Sequence, residues 1–440
     1  MKVPRYVFVI IAILYVLTLK GLTGNLHPKG IGANAAVVNR PPFETSMERG
    51  RYAQIVSLAE SGNFNVTEFY EFLKPDVAWY NGDYYSTFPP GVAVLAVPLY
   101  LVGKVFGASQ VFSFAVSSLF SLGAAYFIYK SCTLLGFSSR AGALGAVTFC
   151  LASVAWPYSV SLSAHPVSAF LMAAGFYFFL RLDPLSRNPL KLSMLGLFFG
   201  LCFFIDYPNI AIFIPLVVGA IFVKLFSFVK KRGAWEIGMH INENLFKDLA
   251  YFFGSFALPI LLFVIFNLYH FGKPFAFTNM YTIKALLNSD SPLTNELVLS
   301  QGYSHRFTVG QAVKGVFTLL TSFDRGLFIY SPVFLLGFFG LTAVFKKRRL
   351  AAVVALIAFL FNLLIYAAYD DAWGGWAFGP RYLIATLPLL AICCAGFFDH
   401  FAKESSYMAF FGKALFFVLL FYSSCIGLLG ALTSNAVPPS

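Results

Sequence analysis

The most regular feature of the chain is a series of long apolar runs that are separated by short polar breaks. Eleven of these runs approach the length at which a helix crosses the hydrocarbon core of a bilayer, about 20 residues. We therefore predict eleven transmembrane helices. They lie at residues 6–22, 111–129, 141–160, 166–182, 192–205, 210–228, 249–268, 327–345, 350–369, 382–398 and 409–432.

A twelfth apolar run, residues 89–106, is ambiguous because two prolines open it and Pro98 interrupts it. The positive-inside rule decides its assignment, since basic residues concentrate in short cytoplasmic loops. If this run does not cross, the basic residues of the short loops fall on the cytoplasmic side. They are Lys130, Arg140, Arg181, Arg187, Lys191, Lys230, Lys231, Arg232 and the run 346–349. We predict that residues 89–106 form a membrane-surface or re-entrant helix.

This topology predicts one membrane domain, residues 1–440, with a cytoplasmic N-terminus and two long external loops at residues 23–88 and 269–325. Ser61, Ser289 and Asn435 are then expected to be accessible from outside, and Gly233 from the cytoplasm. A cleaved signal peptide is the alternative for the first segment. The small residues that resemble a cleavage site lie too far beyond the apolar run for that alternative.

Composition agrees with a multi-pass membrane protein and excludes a soluble domain. Of 440 residues, 59% are hydrophobic and 11% are charged, and the mean hydropathy is +0.75. The net charge of +12 is explained by loop charge bias and contact with anionic lipid, so it does not indicate nucleic-acid binding. The six cysteines lie in or beside apolar segments and show neither disulfide nor metal spacing.

A polar stretch after the first apolar run carries the first candidate chemistry. Thr45 is a helix cap, and apolar residues follow at three- and four-residue spacing up to Gly62, which predicts a helix. Thr45 and Glu48 form the capping-box pattern, in which the glutamate only bonds back to the cap amide. Glu48 therefore has two interpretations, a structural cap and a catalytic carboxylate.

The stretch resembles the first external loop of GT-C glycosyltransferases that use polyprenyl-phosphate sugars, of the aminoarabinose transferase and protein O-mannosyltransferase type. Glu48 falls on the first acidic position of that loop, and Arg51-Tyr52 on its Arg-Tyr pair. Later matches are Asn81-Gly82, Tyr85 and Pro89-Pro90. The chain departs from the family where Arg49 replaces a second acid and Thr87-Phe88 replaces Glu-Lys, which removes a phosphate-contacting lysine.

The resemblance implies an all-α GT-C-like bundle of about eleven transmembrane helices, with surface helices in a large first external loop. It implies transfer of a sugar from a polyprenyl-phosphate donor to a lipid, glycan or protein acceptor, on the outer face of the plasma membrane. Glu48 would be the catalytic residue, with Arg51, Tyr52, Asp83 and Tyr85 in substrate binding. No Walker or Rossmann motif is present, which disfavours a nucleotide-sugar donor.

Such a transfer needs a carboxylate that takes the acceptor proton and cations, or a metal ion, that stabilise the departing phosphate. A second informative stretch, residues 369–382, places Asp370, Asp371 and Arg381 among two tryptophans and several glycines. An interfacial aromatic belt is the alternative interpretation. The glycine and proline before Arg381 favour anion binding, because helix amides and a guanidinium converge there.

Two further polar residues stand at predicted external helix ends. His165 precedes a proline at a helix start, where it is either a substrate contact or an interfacial histidine. Asp206 is an acid at another helix end, and such acids are functional candidates because burying them is costly. A secondary transporter or lipid flippase is the alternative function, but we detect no internal repeat of the transporter type.

Overall fold

The computed structural model of the chain describes residues 4–33, 40–74, 76–231, 234–239, 243–281 and 307–437. The predicted loop 269–325 is therefore described only at its two ends, and Ser289 and Gly233 lie outside the described residues. The first helices are α1 Arg5–Thr18, α2 Pro28–Gly32, α3 Ser46–Ser61, α4 Tyr70–Leu73, α5 Gly91–Val105, α6 Ser109–Leu134, α7 Ser139–Cys150, α8 Ala155–Ser159 and α9 His165–Leu180. The remaining helices are α10 Pro189–Ile205, α11 Asn209–Leu225, α12 Glu243–Phe271, α13 Ala312–Thr321, α14 Leu327–Tyr330, α15 Leu335–Lys347, α16 Arg349–Ala367, α17 Leu387–Ala402 and α18 Tyr407–Leu432.

Each of the eleven apolar segments contains helix, so the prediction of an all-α membrane bundle is confirmed. Residues 141–160 divide into two helices, and residues 210–228 end in a strand. Among the described residues, five helices are long and apolar enough to cross a membrane by themselves. They are Ser109–Leu134, Asn244–Phe271, Arg349–Ala367, Arg381–Ala402 and Tyr407–Leu432. Five shorter apolar helices, α1, α5, α9, α10 and α11, accompany them. The protein is a multi-pass, all-α membrane protein.

Small residues allow neighbouring helices to approach closely, as is common where helices pack in membranes. A Cβ atom at Gly340 of α15 would overlap the carbonyl of Cys393 in α17, and one at Gly196 of α10 would overlap the carbonyl of Phe252 in α12. The two helix pairs are therefore in backbone contact. These close contacts help to fix the helices whose connecting segments carry the polar residues.

The predicted helix of the first loop is present as α3, between the cap Thr45 and Gly62, which adopts a left-handed conformation with φ 68°. Two short hairpins interrupt the helical pattern. The first pairs β1 Val77–Tyr80 with β2 Asp83–Ser86, and the second pairs β3 Phe226–Lys231 with β4 Ala234–Met239. Neither hairpin was predicted from the sequence.

Candidate functional site

Glu48 lies in the first turn of α3, and both interpretations of this residue concern the same carboxylate. Its Oε2 accepts hydrogen bonds from the Thr45 amide at 2.8 Å and from the Thr45 hydroxyl at 3.1 Å. The capping box is therefore formed. Its other oxygen, Oε1, lies 3.5 Å from Asn435 Nδ2. The side chain is enclosed, with the residue only 1% exposed.

A second buried acid stands beside Glu48. Glu44 forms an ion pair with Lys20, at 3.1 Å between Nζ and Oε2. The backbone amide of Asn435 donates to the same Glu44 oxygen at 2.7 Å. The cluster thus contains two carboxylates and the one ammonium of Lys20, all within the buried part of the chain.

Burial raises the pKa of Glu48 to about 7, and the neighbouring Glu44 adds to this rise. The Lys20 ammonium and the two hydrogen bonds from Thr45 act in the opposite direction. Desolvation is the largest of these effects, because a charged carboxylate loses its water when it is enclosed. A carboxylate with a pKa near neutral is suited to general base catalysis.

Arg51 and Arg381 approach this acid from two different parts of the chain. Arg381 donates from Nη1 to the Met47 sulfur at 3.0 Å, which places it against the first turn of α3. Arg51 lies one turn further along α3, with its guanidinium 4.6 Å above the Phe88 ring. Among the described residues, the buried Nε atoms of both arginines have no hydrogen-bond partner. Burial lowers the pKa of Arg51 to about 10, so it remains charged at neutral pH.

Two more polar residues face the arginines. His165, the first residue of α9, lies within electrostatic range of Arg51 and Arg381. Its buried Nε2 has no hydrogen-bond partner in the part of the chain that the structure describes. Asp206, directly after α10, interacts electrostatically with the same two arginines. Residues that the sequence placed at separate helix ends are therefore gathered at one end of the bundle, which we call the polar end. We define the polar end by Glu48, Arg51, His165, Asp206 and Arg381.

The other residues of the family-like loop lie in different surroundings. The Tyr52 side chain is fully buried, and its hydroxyl donates to the Leu26 carbonyl at 2.7 Å. Tyr85 packs in a small separate cluster against Phe271 of α12. Asp83 lies in the same strand as Tyr85, β2, and its Oδ1 is 3.5 Å from the Thr67 hydroxyl. Their role in substrate binding stays a prediction.

The loop before Arg381 is fixed by a residue that the sequence analysis did not single out. Arg325 is fully buried. Its guanidinium donates to the carbonyls of Trp373, Gly375 and Val437, at 2.8, 2.8 and 2.9 Å. Asp371 accepts from the Gly375 amide at 3.1 Å, and Asp370 is exposed. These contacts hold the turn that positions Arg381.

Lys20, Glu44 and Asn435 are site residues that sequence reasoning missed. Lys20 lies inside the predicted first segment, residues 6–22, and the predicted topology placed Asn435 in an accessible external tail. The structure corrects this expectation, since Asn435 is 1% exposed. Among the described residues, no three His, Cys, Asp or Glu side chains are grouped as metal ligands. A divalent cation stays an untested alternative to the arginines.

No family model and no curated protein matches the sequence, but solved structures share its fold. ArnT from Cupriavidus metallidurans, in the apo state, is 14% identical, with 97% of this chain and 75% of that chain covered and a TM-score of 0.54. The same protein bound to undecaprenyl phosphate gives 14% identity, coverage of 97% and 76%, and a TM-score of 0.52.

The oligosaccharyltransferase of Archaeoglobus fulgidus, tethered with an acceptor peptide, is 15% identical, with a TM-score of 0.56. The match covers 99% of this chain and 56% of that chain, so the present chain spans little more than half of the archaeal protein. Both neighbours are GT-C glycosyltransferases. At this level of identity the likeness concerns the fold alone, and the chain has the GT-C fold.

Proposed function

We propose that this protein is a glycosyltransferase that moves a sugar from a polyprenyl-phosphate donor to an acceptor hydroxyl at the polar end. The acceptor is a lipid, a glycan or a protein, and the polar end faces the outside of the plasma membrane. The observation that carries the proposal is the convergence of Arg51 and Arg381 beside the buried Glu48. Each arginine has a buried Nε for which the described residues offer no hydrogen-bond partner. A fold shared with an undecaprenyl-phosphate-bound protein supports it.

The proposed reaction divides the work between a base and two cations. Glu48 Oε1 takes the proton of the acceptor hydroxyl, and the acceptor oxygen forms a bond to the anomeric carbon. The bond from that carbon to the phosphate oxygen breaks, and its electron pair stays on the phosphate. Arg51 and Arg381 stabilise the departing polyprenyl phosphate, since guanidinium groups match phosphate geometry. His165 and Asp206 contact the sugar or the phosphate.

The leaving group explains why one carboxylate is sufficient as the proton-transfer residue. A glycosidase uses a second carboxylic acid to protonate its leaving oxygen. A phosphate leaves as an anion and needs charge stabilisation instead. In this cluster Lys20 forms an ion pair with Glu44. Among the described residues, the hydrogen-bond partner of Glu48 Oε1 is Asn435, at 3.5 Å.

The test is a transfer assay with the purified protein and polyprenyl-phosphate sugars, in which Glu48→Gln is compared with wild type. Glutamine keeps the hydrogen bond to the cap amide but cannot accept a proton. We expect transfer to fall by roughly 10²–10⁴-fold, the usual cost of losing a general base, with little change in melting temperature. Wild-type transfer should rise with pH through about 7, as Glu48 loses its proton. Near-normal transfer by Glu48→Gln would leave Glu48 with its capping role alone.

A further inference from the structure

The segment after α18, residues 433–437, lies across the polar end, and we call it the strap. Asn435 is buried within it and reaches three groups. Its amide donates to Glu44, and its side chain lies 3.5 Å from both Glu48 Oε1 and the Pro157 carbonyl. The strap is therefore in contact with the two acids of the cluster.

The strap is also joined to the turn that carries Arg381. The Val437 carbonyl accepts from the Ala377 amide at 3.0 Å and from Arg325 Nη2 at 2.9 Å. One short segment thus touches the base of the proposed reaction through Asn435 and the arginine-bearing turn through Val437. The position of the strap is fixed at both points.

The two oxygens of Glu48 differ in how they are held. Thr45 supplies two hydrogen bonds to Oε2. In the described part of the chain, Asn435 is the hydrogen-bond partner that the structure gives to Oε1. A carboxylate oxygen has room for two donors. Asn435 therefore occupies one acceptor direction of Oε1 and leaves the other for an acceptor hydroxyl.

We propose that Asn435 is a positioning residue for the Glu48 base: it holds Glu44 and Glu48 side by side and fixes the direction in which Oε1 accepts a proton. The inference rests on the proposed function. Two enclosed carboxylates repel each other, and Asn435 opposes this repulsion because its backbone amide donates to Glu44 and its side-chain amide donates to Glu48. Lys20 balances one of the two charges by its ion pair with Glu44.

The charged and titratable groups around Glu48 come from several elements. Lys20 follows α1, Glu44 precedes α3, Arg49 and Arg51 belong to α3, and Tyr158 belongs to α8. A donor to a carboxylate favours its charged form, so loss of the Asn435 donor raises the pKa of Glu48. A neighbouring negative charge does the opposite, so loss of the Glu44 charge lowers the pKa of Glu48.

The experiment measures kcat against pH for wild type, Asn435→Ala and Glu44→Gln in the same transfer assay. We expect the acid limb of Asn435→Ala to move to higher pH by about half a unit or more, with a lower plateau, since a hydrogen bond to a charged group is lost. The acid limb of Glu44→Gln should move to lower pH. Thr433→Ala is the matched control. Its exposed hydroxyl donates to the Leu429 carbonyl, its one hydrogen-bond partner among the described residues, so the acid limb of this variant should stay in place.

Opposite shifts from two neighbouring variants are a result that loss of packing does not produce. If both limbs stay at the wild-type pH, Asn435 only packs, and the inference is overturned while the proposed function stands. If Glu48→Gln keeps wild-type transfer, the proposed base is wrong and the inference falls with it. If Asn435→Ala fails to fold, Asn435→Asp keeps the shape and replaces the donor by an acid. The acid limb of the Asn435→Asp pH profile should move to higher pH, and an acid limb at the wild-type pH overturns the inference.

Discussion

At the scale of single residues, the capping and catalytic interpretations of Glu48 concern different oxygens of one carboxylate. Oε2 completes the capping box with Thr45, while Oε1 faces Asn435 and the buried cluster. A capping bond uses one oxygen of the two, so the cap does not exclude proton transfer by the other. The cap also fixes the side-chain conformation, which a positioned base requires.

Arg381 offers a direct test of the phosphate-binding part of the proposal. We expect Arg381→Ala to lose nearly all transfer, because a cation at the developing phosphate stabilises the transition state more than the bound donor. Arg381→Lys keeps the charge but not the planar fork, so it should recover only part of the rate. The measurement is kcat and KM for the donor in the transfer assay.

Arg325→Lys is the matched control for Arg381, since both arginines lie near the same turn. Arg325 bonds to backbone carbonyls, so we expect its substitution to lower the melting temperature. Arg381 variants should retain the melting temperature and lose kcat. Full activity of Arg381→Ala would remove this residue from the mechanism and leave Arg51 as the phosphate-binding candidate.

Some residues of the candidate site could be predicted from the sequence because they lie in recognisable motifs. The Arg-Tyr pair and the Gly-Pro-Arg turn directed attention to Arg51 and Arg381, and the structure places both near Glu48. The bridge from Asn435 to Glu44 joins positions separated by 391 residues, and no local pattern marks it. Tyr52 shows a second limit of sequence motifs. It occupies a motif position, but the motif does not tell whether its side chain packs in the core or binds substrate.

At the scale of elements, local sequence patterns predicted α3. A local pattern also marks the β1–β2 hairpin, which was not predicted. Strands β1 and β2 flank Asn81-Gly82, and both turn residues have positive φ, 50° and 93°. An Asn-Gly pair is typical of a two-residue hairpin turn with positive φ at both positions, and aromatic residues on both sides favour strands. The helices themselves follow from long apolar runs, which is why all eleven were found.

The close packing of α15 against α17 predicts a strong effect of a single methyl group. A Cβ at Gly340 would overlap the Cys393 carbonyl, so Gly340→Ala should force the two backbones apart. Overpacking of this kind typically costs about 1–3 kcal/mol. We expect a clear fall in melting temperature for the detergent-purified protein, measured by intrinsic fluorescence.

Gly254→Ala is the control for Gly340→Ala. Gly254 lies in α12, and a Cβ there meets no atom within 4 Å. Alanine is also the better helix former, so this variant should keep or slightly raise the melting temperature. Equal effects of the two substitutions would mean that α15 and α17 are not packed through Gly340.

At the scale of the whole molecule, the orientation of the polar end stays a prediction, and it rests on the charge of the loops. The basic loops lie at the end of the bundle away from the polar end under the predicted topology. The two ends of α5 contact different elements. Gly91 lies against the Phe204 carbonyl beside Asp206, and Lys104 pairs with Glu60 of α3 at 2.7 Å. A helix along the membrane surface makes such contacts, and its surface position stays a prediction.

Topology can be measured by labelling single cysteines in intact cells with an impermeant thiol reagent. We expect Ser61→Cys, in the exposed end of α3, to be labelled, and Ser186→Cys, in the exposed turn before α10, to be labelled only after permeabilisation. The background is a variant in which Cys425, the one exposed cysteine of the described residues, is replaced by serine. The reverse pattern would place the polar end in the cytoplasm.

The most direct test of the central claim is an electron cryo-microscopy map of the protein with bound polyprenyl phosphate. The account predicts that the phosphate lies at the polar end, with oxygens about 3 Å from the guanidinium nitrogens of Arg51 and Arg381. The lipid tail would leave between helices toward the bilayer, with Glu48 on the side of the sugar. A phosphate bound at the opposite end of the bundle, or a phosphate that neither arginine contacts, would contradict the account.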